Sequence, residues 1–426
     1  MATKVQLPNC IALATLAPQV IPETPATGYT IPSIPEPSVL ELPGETAGGD
    51  HPPGRDNAEI VGVVRASWAK VESRAPELAQ FFYSILFTIS PDTRDMFPIN
   101  MSVQRSRLLR ALVHTVQMVD RTEELVPFLR KLGRDHRKFK VVAAHYDALG
   151  SALMTALQRF LREDWTPEVE IAWRSAYGIV AGAMREAAEE ATGPASWCAT
   201  VLEHRRTGRD VAVVRVQVPE PLPYEPGDVL SVEIPQRPRL WRSLSPSNAP
   251  RADGCIEFQI RAVPGGWVSG AMVNQTRPGD VWQLGPAVRG NLSIAPKTKR
   301  GQLMIAGGTG IAPMRSLLED LSKRPERPQV SLFFGGRTVE DLYDLDRLRA
   351  LASIRPWLDL VPVAEEAAGT GIEEGTLADA VTRRGVWRDH DILVSGSPAM
   401  IRATVAKLLV GGCEAGKIHY DPFTID

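Results

Sequence analysis

From Ala306 to Pro313 the chain reads Ala-Gly-Gly-Thr-Gly-Ile-Ala-Pro. An apolar run, Gln302–Ile305, precedes it, and Met314, Leu317 and Leu318 follow at helical spacing. A glycine-rich turn between a strand and a helix lets backbone N–H groups approach a phosphate closely, and the helix dipole favours the anion. Such a turn sits at the carboxyl end of its strand, where open α/β sheets bind ligands. Glycines placed for sterics alone would give the same string, but the strand–turn–helix context favours nucleotide binding. A second candidate is Arg242-Ser243-Leu244-Ser245, just after an expected strand. An arginine can grip a pyrophosphate through two parallel hydrogen bonds, and Ser245 can hydrogen-bond the edge of a flavin ring. Alone, this run is equally an ordinary basic loop.

Haem chemistry needs an axial imidazole facing an apolar pocket. Of seven histidines, His114, His136 and His145 lie in a helical stretch. Residue type and spacing do not choose among them. Tyr83 and Gln104 are ordinary in isolation, and neither composition nor periodicity shows a haem.

The elements around these residues change character along the chain. Residues 1–56 are rich in Pro, Thr and Gly, too poor in apolar surface to offset ordering entropy, and are expected to be a disordered tail. Residues 57–191 read as all-α. Leu78, Phe81, Phe82, Ile85 and Leu86 recur at helical spacing, as do Leu108, Leu109, Leu112, Val116 and Val119. Thr122 is expected to cap a helix through Leu125, Phe128, Leu129 and Leu132. Thr166-Pro167-Glu168 supplies a cap, a first-turn proline and an acid for a helix with Trp173, Tyr177, Val180 and Met184 on one face. Over 195–297, short alternating runs (Val211–Val218, Val229–Ile234, Cys255–Val263) are separated by the turns Pro226-Gly227-Asp228 and Pro278-Gly279-Asp280. They predict a small antiparallel β-barrel. Over 300–426, the runs Leu303–Ala306, Val330–Phe334, Leu358–Pro362 and Ile392–Val394 alternate with helices and predict an α/β domain with a parallel sheet.

Bulk composition excludes some classes. Lys plus Arg total 48 against 50 Asp plus Glu, a net charge of −2 that gives no reason to expect nucleic acid or an anionic membrane as partner. Cys10, Cys198, Cys255 and Cys413 form no CxxC pair, which points to reduced thiols in the cytoplasm. No apolar run nears the roughly 20 residues needed to cross a bilayer, and Ile11–Ala17 is a poor signal sequence.

Taken in order, the motifs resemble two known modules. Residues 57–191 resemble the globin domain of flavohaemoglobins. The resemblance rests on Phe82-Tyr83-Ser84-Ile85-Leu86-Phe87, Pro91, Met96-Phe97, Gln104-Arg105 with Leu108, His136 at 32 residues beyond Gln104, Tyr146, and Trp173 with Ala176-Tyr177-Gly178. It implies His136 as proximal iron ligand, Phe97 packed on the porphyrin, Tyr83 and Gln104 hydrogen-bonding O2, Leu108 shaping the distal pocket and Tyr146 beside His136. Residues 195–426 resemble a ferredoxin-reductase-type module. There Arg242, Leu244 and Ser245 match the flavin motif, and Gly266-Trp267-Val268-Ser269 the FAD-phosphate segment. Gly308-Thr309-Gly310-Ile311-Ala312-Pro313 matches the nicotinamide-nucleotide motif. Arg337, after Gly335-Gly336 and before Asp341-Leu342-Tyr343, matches the adenosine side, and Gly396-Ser397-Pro398 the nicotinamide side. Phe423, in His419-Tyr420-Asp421-Pro422-Phe423, matches an aromatic that covers the flavin.

The implied cofactors are haem b, FAD and NADH or NADPH. The implied activity is an NAD(P)H-driven oxidoreductase turning nitric oxide and O2 into nitrate. An NAD(P)H oxidase or dehydrogenase with another acceptor, and a redox or gas sensor, are the rival readings. Four positions depart from the pattern: Leu244 replaces a tyrosine, Ser395 a frequent cysteine, Asp135 a lysine, and Ala188 the last helix's glutamate, with Glu186 and Glu189 only nearby.

Overall fold

The computed structural model describes residues 57–421. The expected disordered tail, 1–56, and Phe423 lie outside the described residues. The helical part comprises α1 (Asn57–Val71), α2 (Ala75–Ile89), α3 (Ser102–Met118), α4 (Thr122–His136), α5 (Ala143–Leu161) and α6 (Pro167–Glu189). Leu78, Phe82 and Leu86 of α2 are buried against Leu153 and Leu157 of α5. Trp68 and Trp173 join this core with ring centroids 6.4 Å apart, and the Trp173 indole N–H donates to Ser67 Oγ at 2.9 Å. Thr166 caps α6 as expected, accepting from the Val169 N–H. Thr122 does not cap α4. It is the first helical residue, and Arg121 holds the cap position, its carbonyl accepting from the Glu124 and Leu125 N–H groups. A tight turn, with Arg121 N–H donating to Met118 O at 2.8 Å, starts the helix one residue earlier than the threonine suggested.

The second part holds β1 (Trp197–Arg206), β2 (Val211–Gln217), β3 (Val229–Ile234), β4 (Arg237–Leu244), β5 (Cys255–Arg261), α7 (Trp267–Asn274) and β6 (Val281–Val288). The antiparallel sheet runs β4-β3-β6-β1-β2-β5, and a single bridge, Pro246 to Phe258, links its two ends. It is a curled half-barrel. Inward residues such as Leu230, Val232, Ile234, Phe258 and Trp282 fill it. Gly227 and Gly279 take φ of 89° and 93° in the two expected turns, a conformation that glycine adopts without strain.

The third part holds β7 (Gln302–Gly307), α8 (Ile311–Lys323), β8 (Val330–Thr338), α9 (Leu345–Ser353), β9 (Leu358–Glu366), β10 (Glu373–Glu374), α10 (Leu377–Arg384), β11 (Asp391–Ser395), α11 (Pro398–Val410) and β12 (Ile418–Tyr420). Its sheet is parallel throughout, in the order β10-β9-β8-β7-β11-β12. Helices cover both faces, so β7 is a continuous buried run and not an alternating one.

A buried ionic cluster joins the second and third parts. Arg315 of α8 is 4% exposed; it donates to Glu257 of β5 at 2.7 Å and lies 3.2 Å from Asp344. Burial alone would raise the Glu257 carboxyl, but the Arg315 charge and hydrogen bond hold it below its ordinary range. At Asp344, burial prevails over the same arginine, and the carboxyl is raised.

Candidate active site

The helices α2, α3, α4, α5 and α6 enclose a cavity of about 630 Å³. Most of its wall is apolar, and Tyr83, Phe97, Gln104, Leu108, His136 and Tyr146 all face it. Helix approach explains the placement of His136 at the end of α4. Gly133 lies so close to α6 that a Cβ there would stand 2.2 Å from the Met184 carbonyl oxygen. Only glycine allows that approach, and one turn later the His136 ring reaches the cavity.

The three histidines separate by their hydrogen bonds. His136 Nδ1–H donates to the Leu132 carbonyl at 2.8 Å, which leaves Nε2 with its lone pair free. Burial holds the ring below the ordinary imidazole pKa, in the neutral form that a metal needs. His145 has both nitrogens engaged: Nδ1 accepts from the Val142 N–H at 3.1 Å and Nε2 meets Asp92 at 2.9 Å. His114 packs edge-on against Phe128, with centroids 4.9 Å apart.

Across the cavity, Tyr83 is buried, and the Gln104 side chain lines the same cavity close to its hydroxyl. Burial raises this phenol well above its ordinary range, so it stays protonated and can donate. Its ring meets Phe97 edge-on at 5.4 Å, and Phe87 packs on both. Tyr146 is buried beside the cavity, and its carbonyl accepts from the Tyr177 hydroxyl. Ala188 is half-buried. Glu186 pairs with Arg130 at 2.5 Å, and Glu190 binds the same arginine. A largely apolar cavity lined by His136, whose Nε2 is free, and by Tyr83 and Gln104 fits a haem.

The cavity does not end in the helical part. Arg239, Leu240, Trp241 and Arg242 of β4, and Gly266 and Trp267 at the start of α7, also line it. Arg242 therefore lies within β4, not after it, and shares a wall with the first turn of α7. At Gly266, a Cβ would meet Ser269 Oγ at 2.5 Å and Val263 at 2.6 Å. A guanidinium and an open helix start on one wall fit a flavin nucleotide's pyrophosphate. Val268 is fully buried, Leu244 packs against the half-barrel core, and Ser269 Oγ accepts from the Val263 N–H. Ser245 follows β4 directly and is half-buried.

At the carboxyl ends of β7 and β11, the glycine-rich turn and Gly396-Ser397-Pro398 come together. Gly308 takes φ of 55°. A Cβ on Gly310 would lie 2.3 Å from the Ser395 carbonyl oxygen, so the two turns are in backbone contact. Thr309 is the middle residue of the glycine-rich turn, and Ile311 and Pro313 are buried in the first turn of α8. Ser397 caps α11 by accepting from the Met400 N–H, with Pro398 in its first turn. Arg337 is exposed after β8's Gly-Gly pair, and its N–H donates to Asp341 at 3.0 Å. These paired turns fit a nicotinamide dinucleotide. Sequence reading missed Arg261, whose guanidinium lies 3.6 Å from where a Gly308 Cβ would stand and 2.9 Å from Asp341. A cation at the end of β5 facing a glycine-rich turn is visible only once the strands are paired.

A helical haem-pocket unit followed by a flavin half-barrel and a dinucleotide-binding sheet is the architecture of a globin-linked reductase. Comparison with known proteins agrees. The globin family matches residues 80–184, the oxidoreductase FAD-binding domain 198–291 and the oxidoreductase NAD-binding domain 304–406. The flavohemoprotein of Vibrio cholerae is 24% identical over 400 residues, which cover 86% of this chain and 97% of that protein. The ferredoxin–NAD(P)(+) reductase component of a Ralstonia naphthalene 1,2-dioxygenase/salicylate 5-hydroxylase system is 34% identical over 224 residues, 50% of this chain and 65% of that one. The crystal structure of a Malassezia yamatoensis flavohemoglobin with bound FAD and heme superposes with a TM-score of 0.68 at 16% identity, covering 86% of this chain and 99% of that one. The chain is a flavohaemoglobin-like protein, an NAD(P)H-dependent globin–flavin oxidoreductase whose domains hold haem, FAD and a nicotinamide dinucleotide. Among the described residues, no helix is long and apolar enough to cross a membrane.

Proposed function

We propose that this oxidoreductase is a nitric oxide dioxygenase, with His136 as the iron ligand and Tyr83 and Gln104 as the groups that hold O2. The observation that carries the reading is that Tyr83 and Gln104 line the same largely apolar cavity as His136, whose Nδ1 bond to the Leu132 carbonyl leaves Nε2 free. Haem supplies an iron that binds O2 and takes single electrons, FAD splits a hydride into such electrons, and the nicotinamide supplies the hydride. The balanced reaction joins two NO and two O2 with one NAD(P)H, giving two nitrate ions, NAD(P)+ and a proton. The residues orient and exclude: Tyr83 donates a hydrogen bond, Phe97 and Leu108 keep water out, and Arg242 with the start of α7 holds the flavin phosphates. The turns at Gly308–Gly310 and Gly396–Pro398 set the dinucleotide.

One observation favours an NAD(P)H oxidase or dehydrogenase with a different acceptor. The Nδ1 of His136 goes to a neutral carbonyl, and Glu186 is tied to Arg130. Purified holoenzyme supplied with NADH, O2 and NO decides between them. Nitrate formed in step with NO loss supports the dioxygenase; steady NADH oxidation indifferent to NO supports the other acceptor.

A further inference from the structure

Between the iron ligand and the flavin strand stands a short run of aromatic rings. The His136 and Phe139 rings lie with centroids 5.8 Å apart at 77°. Phe139 meets Trp241 of β4 at 6.0 Å and 84°. Trp241 immediately precedes Arg242, and both face the shared cavity. Lys138 holds this contact. Its side chain is 6% exposed, and its ammonium donates to Asp135 at 2.6 Å and to Ser231 of β3 at 3.1 Å. The same ammonium lies 5.1 Å from the Phe139 ring and 5.2 Å from the Trp241 ring. A desolvated cation against two ring faces fixes both rings. Gly285 completes the seat, since a Cβ there would stand 2.2 Å from Ser231 Oγ, the hydroxyl that Lys138 donates to.

We infer that Phe139 and Trp241 form an aromatic bridge carrying electrons from the flavin side to the haem side, with Lys138 as the positioning residue that keeps the two rings in contact. The inference rests on the chain being a haem–flavin oxidoreductase, not on nitric oxide as substrate. Each event moves one electron. The flavin side is oxidised by one equivalent and sheds a proton to water, the iron is reduced from ferric to ferrous, and no bond to either ring forms or breaks. The rings replace water and aliphatic packing between the two groups. The rings mediate the transfer without being reduced themselves, and Lys138 acts by holding them in contact.

The experiment is stopped-flow mixing of anaerobic ferric holoenzyme with NADH, following flavin bleaching and the Soret shift separately. In Trp241→Leu, flavin bleaching keeps its rate while iron reduction slows by roughly tenfold or more, equivalent to ~1.4 kcal/mol of barrier. Trp241→Phe, which keeps an aromatic ring, recovers most of the loss. The resting Soret band and both cofactor contents, which report folding and His136 ligation, stay as in the parent. Iron reduction at the parental rate in Trp241→Leu would overturn the bridge, as would an equal loss in Leu and Phe variants. Parent enzyme that bleaches its flavin without any Soret shift would remove both the bridge and the oxidoreductase reading. A normal parent with indifferent variants removes the bridge alone.

Discussion

The Nδ1 of His136 lies 2.8 Å from the Leu132 carbonyl oxygen, one helical turn back along α4. That bond fixes the tautomer and leaves Nε2 free, whereas His145 has both nitrogens engaged and His114 packs on Phe128. We therefore expect His136→Ala to lose the Soret band and bound haem while keeping FAD. His114→Ala and His145→Ala should retain both. Haem and flavin content per chain, measured by absorbance, checks this.

Tyr83 is buried, and burial raises its hydroxyl pKa. A phenol so shifted keeps its proton well into the alkaline range. O2 affinity should therefore show no titration attributable to Tyr83 between neutral and mildly alkaline pH. Tyr83→Phe removes the donor and should raise the O2 dissociation constant by about fivefold to tenfold, the ~1–1.5 kcal/mol typical of one hydrogen bond. Flash photolysis with O2 reads this directly.

Gly310 touches the Ser395 carbonyl across the nucleotide crevice. Gly310→Val forces the two turns apart. NADH reduction of the flavin should fall at least tenfold, ~1.4 kcal/mol, whereas dithionite reduction and CO binding remain parental. A parental NADH rate would show that the crevice is not the dinucleotide site.

Arg315 is bonded to both Glu257 and Asp344, and Arg347 lies 3.5 Å from Glu257. Arg315→Met leaves two buried carboxyls without it, a loss of ~3–5 kcal/mol in breaking a buried pair. The pH dependence follows from the signs. The lowered Glu257 carboxyl contributes stability above its unfolded pKa, and this is lost as pH falls through its folded value. The raised Asp344 carboxyl acts oppositely, so its contribution improves as pH falls. Without Arg315, burial, which raises both carboxyls, is opposed chiefly by Arg347. The deficit in urea midpoint should therefore be largest near neutral pH and shrink towards pH ~4.5, near the ordinary Glu value.

Much of this was legible in the sequence because the physics is local. The strand–glycine turn–helix at 302–318 needs only adjacent residues, and the structure places strand, turn and helix there. The apolar faces of α2 and α6 were equally readable. β4 was not: Arg237-Pro238-Arg239-Leu240-Trp241-Arg242 has no alternating apolar pattern, because one face of this strand lines the cavity and meets the helical part. Arg239, at φ 67°, even reaches the Phe97 carbonyl and Asp95 of the helical part. The choice among three histidines turned on hydrogen bonds that spacing cannot show. The contact of Lys138 with Ser231 joins residues 93 apart and needs the folded chain.

The most direct test of the central claim is one absorption experiment. Purified protein is taken under argon, NADH is added, and CO follows. We expect the flavin bands to bleach and the Soret band to move to the ferrous–CO position, showing nicotinamide, flavin and haem in one electron path. Bleached flavin beside an unmoved ferric Soret band, or no Soret band at all, would contradict it.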